Sequence, residues 1–288
     1  MAKPLRIVHC FRSPVGGVFR HVRDLAEEQS KAGHEVGILC DSLTGGEHED
    51  HLFDDIMPFL ALGVVRLPIR RQISLSDAST LWSSYQKIKS LRPDVLHGHG
   101  AKGGLLARVL GSILRVNRYR IARLYTAHGG SLHFSRGSLQ GLLVHSLERM
   151  LEFLTDGLIF ICDFERLAYE KKIGKPRTRS VLIYNGISER DFRSIPTRSD
   201  SVHFVYIGML RDLKGPDLFI EAFAVSQNIV VPSRLRYSLS RSSAITASRS
   251  WVFLISVRVW TVLRCSSSAS MRATSRLKPR DARRSATS

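Results

Sequence analysis

The chain has 288 residues, 43% apolar and 24% charged, enough to bury the core of one large α/β domain or two ordinary ones. Its formal charge of +18 is unevenly spread. From Asn228 to Ser288 twelve Lys or Arg face one acid, Asp281, so that segment carries +11 and the first 227 residues carry +7. The mild excess in the body argues against a dedicated nucleic-acid binder and suits an anionic substrate or surface.

The four cysteines, at 10, 40, 162 and 265, form no Cys-x-x-Cys pair, and the first three lie in apolar runs with the character of buried strands. Reduced core thiols and a cytoplasmic location are expected. The opening MAKPLRIVHCF lacks the apolar core of a signal peptide, and no run approaches the ~20 apolar residues of a spanning helix.

In chain order, LRIVHCF (5–11) predicts a strand, and Ser13-Pro14-Val15-Gly16-Gly17 a turn. From Val18 the period becomes helical, with Val18, Val22, Leu25 and Ala26 on one face and Arg20, Arg23, Asp24, Glu27 and Glu28 on the other. Gly33 ends that helix and HEVGILC (34–40) predicts the next strand. Such a βαβ unit implies a parallel sheet with helices on its faces. Residues 45–58 are acidic and irregular, which predicts a loop or lid. Further strands are expected at 95–97, 120–128, 158–161 and 181–184. A helical stripe runs over Leu105, Leu106, Val109, Leu110, Ile113 and Leu114, and a second helix is expected around 165–171. Residues 185–199 are polar and turn-rich, as an interdomain link would be; HFVYIG (203–208) and a helix from Asp217 to Ala224 then open a second α/β region.

Several polar groups fall where open α/β sheets bind ligands, at the carboxyl ends of strands. Gly16 and Gly17 would let backbone approach an anion at a helix N-terminus, although many βα turns contain glycine for the turn alone. His97 and His99 end one strand and His128 another, and no third ligand with metal-site spacing accompanies the first pair. His48 and His51 lie among Glu47, Asp50, Asp54 and Asp55, a grouping better read as a solvated loop than as a metal site. No Asp-x-Asp occurs, so a metal-clamped nucleotide finds no support. Arg211 and Lys214, three apart in the glycine-bounded GMLRDLKG (208–215), can reach one phosphate group.

Six segments in order resemble the family 4 retaining glycosyltransferases of the GT-B fold: PVGGVFRHVRDLA (14–26), RPDVLHGHGAKGGLLARVLG (92–111), YTAHGGSLHF (125–134), LTDGLIFICDFER (154–166), VLIYNGISERDF (181–192) and FVYIGMLRDLKGPDLFIEAFA (204–224). The resemblance implies two Rossmann-like domains: a complete acceptor-side domain over 1–190, then a linker and the first βα unit of a donor-binding domain over 191–227. It implies sugar transfer from a nucleotide-sugar to a polysaccharide or lipid-linked glycan, with retention, no cofactor and no bound metal. Carried over by position, Gly16 and Gly17 lie near the donor diphosphate, His128 faces the transferred sugar, and Arg211 and Lys214 neutralise the diphosphate leaving group. His97, His99 and Lys102 are acceptor-side candidates. Many relatives have Arg directly after the glycine at position 208, where this chain has Met209.

The resemblance stops near Gln227. Residues 228–288 hold fifteen serines and no glycine, and are read as a non-homologous, disordered tail. No glutamate follows Glu221, so the family's acidic Glu-x7-Glu pair is missing. A shift of reading frame near codons 225–228 would leave this pattern, and an inactive remnant is the alternative to a working transferase. Nucleic-acid binding by the Arg-Ser tail is disfavoured by its few aromatics, Tyr237, Trp251, Phe253 and Trp260. Arg108, Arg115, Arg118, Arg120 and Arg123 form a basic group that would suit peripheral contact with the inner face of a membrane, or equally an ordinary surface.

Overall fold

A computed structural model describes residues 3–70, 76–116, 120–192, 194, 196, 204–208, 214–226 and 253–257. The chain divides into two compact units, Met1–Arg193 and Ser194–Ser288, which places the boundary inside the polar link expected at 185–199.

The first unit is one parallel sheet of seven strands: β1 (Arg6–Phe11), β2 (Glu35–Asp41), β3 (Gly63–Leu67), β4 (Val95–His99), β5 (Ala122–Thr126), β6 (Gly157–Phe160) and β7 (Arg179–Leu182). Their order is β3-β2-β1-β4-β5-β6-β7, the doubly wound arrangement in which the chain reverses direction of growth between β1 and β4. Among the described residues the connecting α-helices are α1 (Gly16–Lys31), α2 (Glu47–Ile56), α3 (Ser76–Leu91), α4 (Gly100–Val116), α5 (Leu139–Leu151) and α6 (Asp163–Lys172).

Period-2 alternation splits the core between the two faces. Val8 and Cys10 of β1, Leu39 of β2 and Leu96 of β4 pack with Ile88 of α3 and Leu106, Leu110 and Leu114 of α4. On the other face Phe11, Val36, Ile38 and Cys40 pack with Phe19, Val22 and Ala26 of α1 and Phe53 and Ile56 of α2. Burial pushes the Cys10 and Cys40 thiols up to about 12, so both serve as small apolar side chains. Cys162 instead stands just beyond β6 and accepts the Glu165 amide at the start of α6.

Helix α4 lies unusually close to the sheet. A Cβ added at Gly103 would collide with the Cys10 carbonyl, one at Gly104 with the Tyr125 ring, and one at Gly98 would lie 2.6 Å from the Gly104 Cα. The buried face of α4 is therefore Gly103, Gly104, Leu106, Ala107, Arg108, Leu110, Gly111 and Leu114. It is rotated from the expected stripe, which leaves Ile113 exposed.

Two expectations are corrected. Residues 47–56 form a helix, not a loop: Glu49 accepts the Gly46 amide (2.9 Å), the acids Glu47, Glu49 and Asp50 occupy the first turn, where the helix dipole favours them, and Phe53 and Ile56 are buried. The arginine group does not form one surface patch. Arg108 and Arg123 are buried, while Arg115 and Arg120 are exposed, Arg115 being held by Asp156 at 2.6 Å and by the Ile121 carbonyl at 2.8 Å. Arg118 lies outside the described residues.

In the second unit β8 (Phe204–Gly208) is followed by α7 (Pro216–Ser226), the expected βα start. Within the tail, β9 (Phe253–Val257) pairs antiparallel with β8, from Phe204↔Val257 to Gly208↔Phe253. This run, FLISV, is rich in residues that suit a strand, and is a short structured piece in a segment expected to have little. Among the described residues no helix is long and apolar enough to cross a membrane.

Candidate active site

The site lies at the carboxyl edge of the sheet, at the reversal between β1 and β4. Gly16 opens α1 with φ 67, a left-handed conformation that glycine adopts without the Cβ clash other residues would meet. Space for a Cβ is free at both Gly16 and Gly17, and among the described residues no side chain caps the start of α1. Open space over uncapped amides at the positive end of a helix suits an anionic group.

Behind this turn, the α1-facing side of the sheet carries imidazoles where apolar side chains would be usual. His9 of β1 pairs in register with His97 of β4, and Phe11 with His99. His9, His97 and His99 are buried, while His21 of α1 and His128 beyond β5 are half-buried. The rings form one cluster, with centroids 4.0 Å apart for His97–His99, 5.3 Å for His99–His128 and 4.9 Å for His21–His128. A hydrogen-bonded chain threads it: Gln29 Oε1 to His9 Nε2 (2.8 Å), His9 Nδ1 to His99 Nε2 (3.0 Å), His99 Nδ1 to His128 Nε2 (3.0 Å). His97 Nε2 faces Thr126 Oγ1 at 2.9 Å.

Burial holds these imidazoles neutral. It takes His9 down to about 4, outweighing the Gln29 hydrogen bond, and His128 down to about 4 with a further contribution from His21. His97 and His99 are driven well below the ordinary range first by burial, and then by neighbouring imidazoles, His9 foremost for His97 and His97 foremost for His99. A neutral imidazole offers one donor and one acceptor, so each can relay a hydrogen bond.

His128 has a left-handed backbone, φ 49, followed by Gly129 at φ 72. Glu165 of α6 clamps this turn: one carboxylate oxygen accepts the Gly129 amide (3.1 Å) and the other the Ile161 amide (2.9 Å). Burial raises the Glu165 carboxyl despite those hydrogen bonds. Two groups of three histidines bring ligand nitrogens within 4.8 Å of one another, His9/His97/His99 and His21/His99/His128. Neither His48 nor His51 belongs to a ligand group among the described residues.

The expected residues thus separate. Gly16 and Gly17, opening α1, and His128, following β5, stand on the same edge of the sheet, with Lys102 half-buried in the first turn of α4. His97 and His99 stand behind them and are buried, His99 hydrogen-bonded to His128 and His97 to Thr126. Lys214 precedes α7 in the second unit, where its carbonyl accepts the Tyr206 hydroxyl (3.2 Å). Arg211 and Met209 lie outside the described residues. Sequence reasoning passed over His9, His21, Gln29 and Glu165. The signal available was strand alternation, which puts His9 on the Phe11 side of β1 and so toward α1.

Open α/β sheets bind ligands at the carboxyl ends of their strands, and both the glycine-opened α1 and His128 stand on that edge here. Residues 15–190 match Glycosyltransferase Family 4, and the chain belongs to that family. It is 30% identical over 191 residues to a protein of Bacillus subtilis (strain 168) assigned as a glycosyltransferase, EpsD, covering 60% of this chain and 48% of that one. It is 23% identical over 213 residues to the UDP-Gal:alpha-D-GlcNAc-diphosphoundecaprenol alpha-1,3-galactosyltransferase of Escherichia coli, covering 69% and 52%. The chain therefore spans about half the length of these curated relatives. Among solved structures, Anabaena HepE in complex with UDP and glucose aligns over 67% of this chain and 47% of its own, at 16% identity and a TM-score of 0.49. The first unit has the α/β, Rossmann-like architecture expected of the region that the family match covers.

Proposed function

We propose that the first unit is the acceptor-side half of a retaining glycosyltransferase that moves a sugar from a nucleotide-sugar to a polysaccharide or lipid-linked glycan without a bound metal. The observation that carries this reading is the placing of the Gly16–Gly17 start of α1 and of His128, whose ring packs on His21 of that helix, at one sheet edge inside the family-matched region. The acceptor oxygen forms the new bond to the anomeric carbon while the bond to the diphosphate breaks, and the departing diphosphate oxygen keeps that electron pair and takes up the acceptor's proton. Arg211 and Lys214 supply the positive charge that this departure needs, Gly16 and Gly17 border the diphosphate, and His128 contacts the sugar. The lipid diphosphate acceptor of the Escherichia coli relative supports a lipid-linked acceptor and a cytoplasmic protein working at the inner membrane face. For such contact the support is the exposed apolar face of α5, with Leu139, Leu143 and Met150, and Phe153 just beyond it, instead of the arginine group.

A second reading is favoured by one observation, the absence of any glutamate after Glu221, which leaves the family's acidic pair unfilled. The chain would then bind ligand and transfer nothing. One assay separates the two: the purified chain is offered UDP- and GDP-sugars with lipid-linked glycan acceptors. Turnover that His128→Ala removes supports the first reading and sinks the second. Binding of acceptor or donor without turnover supports the second.

A further inference from the structure

We propose that His21, His99 and His128 form a binding site for a borderline divalent transition-metal ion of the zinc class, separate from any requirement of the transfer reaction. The three imidazoles come from three elements, α1, the end of β4 and the turn after β5, and their ligand nitrogens lie within 4.8 Å of one another. Zinc–imidazole bonds of about 2.0–2.1 Å place tetrahedral ligand nitrogens roughly 3.4 Å apart. His99 Nδ1 and His128 Nε2 already face each other at 3.0 Å. Both rings turn away from their mutual hydrogen bond to converge on an ion, and the His21 ring, whose nitrogen lies within 4.8 Å of both, swings in to complete the set.

The hydrogen bonds behind His99 prepare it as a ligand. With Gln29 Oε1 as acceptor, His9 carries its proton on Nε2, leaving Nδ1 to accept from His99 Nε2. His99 Nδ1 is then a lone pair aimed at the site. Metal-bound imidazoles characteristically donate their other N–H to a fixed acceptor in this way. Without metal that lone pair accepts the His128 Nε2 proton; with metal, His128 shifts its proton to Nδ1 and binds through Nε2. Both states are neutral at the protein, so the exchange needs no other group.

The alternative group, His9/His97/His99, shares His99 but is fully buried. A dication there would have neither water for its fourth position nor a carboxylate ligand, a costly arrangement. At the proposed site His21 and His128 are half-buried, which leaves a coordination position for water, and Asp24, one turn along α1 from His21, places negative charge beside it. An all-imidazole set selects zinc, nickel or copper over magnesium or calcium.

The test is titration of the full chain with Zn2+ by calorimetry and with Co2+ by visible absorption, folding of each variant being checked by circular dichroism. One tight ion per chain is expected, with a cobalt spectrum of low coordination number. His21→Ala, on a half-buried helix position, abolishes the tight site; Gln29→Leu, which frees the His9 tautomer, weakens it about 10–100-fold. The double variant His48→Ala/His51→Ala binds as the parent does. Tight binding that survives His21→Ala, or that disappears with His48 and His51, or no tight binding of either ion, overturns the proposal. The geometry alone carries the site, so a failed transfer assay leaves this titration unaffected.

Discussion

The Arg108 guanidinium sits 2.9 Å from the Glu148 carboxylate, both side chains shut off from solvent, and 4.0 Å from the centre of the Tyr125 ring. The Tyr125 hydroxyl donates to the other Glu148 oxygen at 3.0 Å. One cation thereby ties α4, β5 and α5 together beneath the sheet edge that carries His128. Removing one partner of a buried pair leaves an uncompensated charge at a cost of about 3–5 kcal/mol, whereas replacing both with apolar groups is near neutral. Glu148→Ala should therefore lower unfolding stability in urea by about that amount, and Arg108→Met/Glu148→Leu should recover most of it. Equal losses in single and double variants would show that packing, not charge, dominates here.

The glycines of α4 set how closely it approaches the sheet. Gly103 is the most confined, its missing Cβ pointing at the Cys10 carbonyl and the Phe11 Cα, neither of which can turn aside as a side chain would. Gly103→Ala should cost about 1–3 kcal/mol or more by overpacking, despite alanine's higher helix propensity. Gly17→Ala, where a Cβ meets nothing, should be neutral or slightly stabilising. Thermal melts of the two variants make the comparison.

Much of this was legible in the sequence. The βαβ rhythm gave six of the seven sheet strands and the site edge, because buried parallel strands read as short apolar runs. β3 was missed: it is an edge strand, half-buried throughout, so its composition carries little signal. α3 escaped notice because Thr80 and Ser84 share its buried face with Tyr85 and Ile88, which breaks the apolar stripe. Arg108 was read as surface because a lone arginine usually is. Its partner Glu148 lies 40 positions away on an unrecognised helix. The histidine cluster needed the β1–β4 register, which no local pattern contains.

Asp156 closes the other side of β5. Its carboxylate accepts the Arg123 amide (2.8 Å), two Arg123 guanidinium contacts (both 3.1 Å) and Arg115 (2.6 Å). Burial raises its carboxyl, but the Arg123 hydrogen bonds and the two cations outweigh burial and the net shift is downward. A carboxylate depressed on folding adds stability above its unfolded value near pH ~4, and that contribution disappears as pH falls through the lower folded value. The stability gap between parent and Asp156→Asn should hence be constant from neutrality down to the ordinary aspartate range and shrink below it. Urea unfolding as a function of pH reads the gap; one that widens in acid would contradict the assignment.

His128 holds a left-handed backbone that only glycine adopts freely, and the Glu165 clamp on Gly129 keeps it there. Left-handed geometry costs an ordinary L-residue about 1–2 kcal/mol, and such strain persists where surrounding contacts over-determine it. Replacing His128 with alanine removes the imidazole and keeps the strain; replacing it with glycine removes both. His128→Gly should accordingly be more stable than His128→Ala by about 1 kcal/mol, after allowance for glycine's larger unfolded-state entropy. The same pair isolates function from fold. A loss of ligand binding or transfer that is equal in the two variants belongs to the imidazole, because their stabilities differ in a known direction. An alanine variant as stable as the glycine one would mean that the turn relaxes once the ring is gone, so that the imidazole's own contacts to His99 and His21, and not Glu165, impose the conformation.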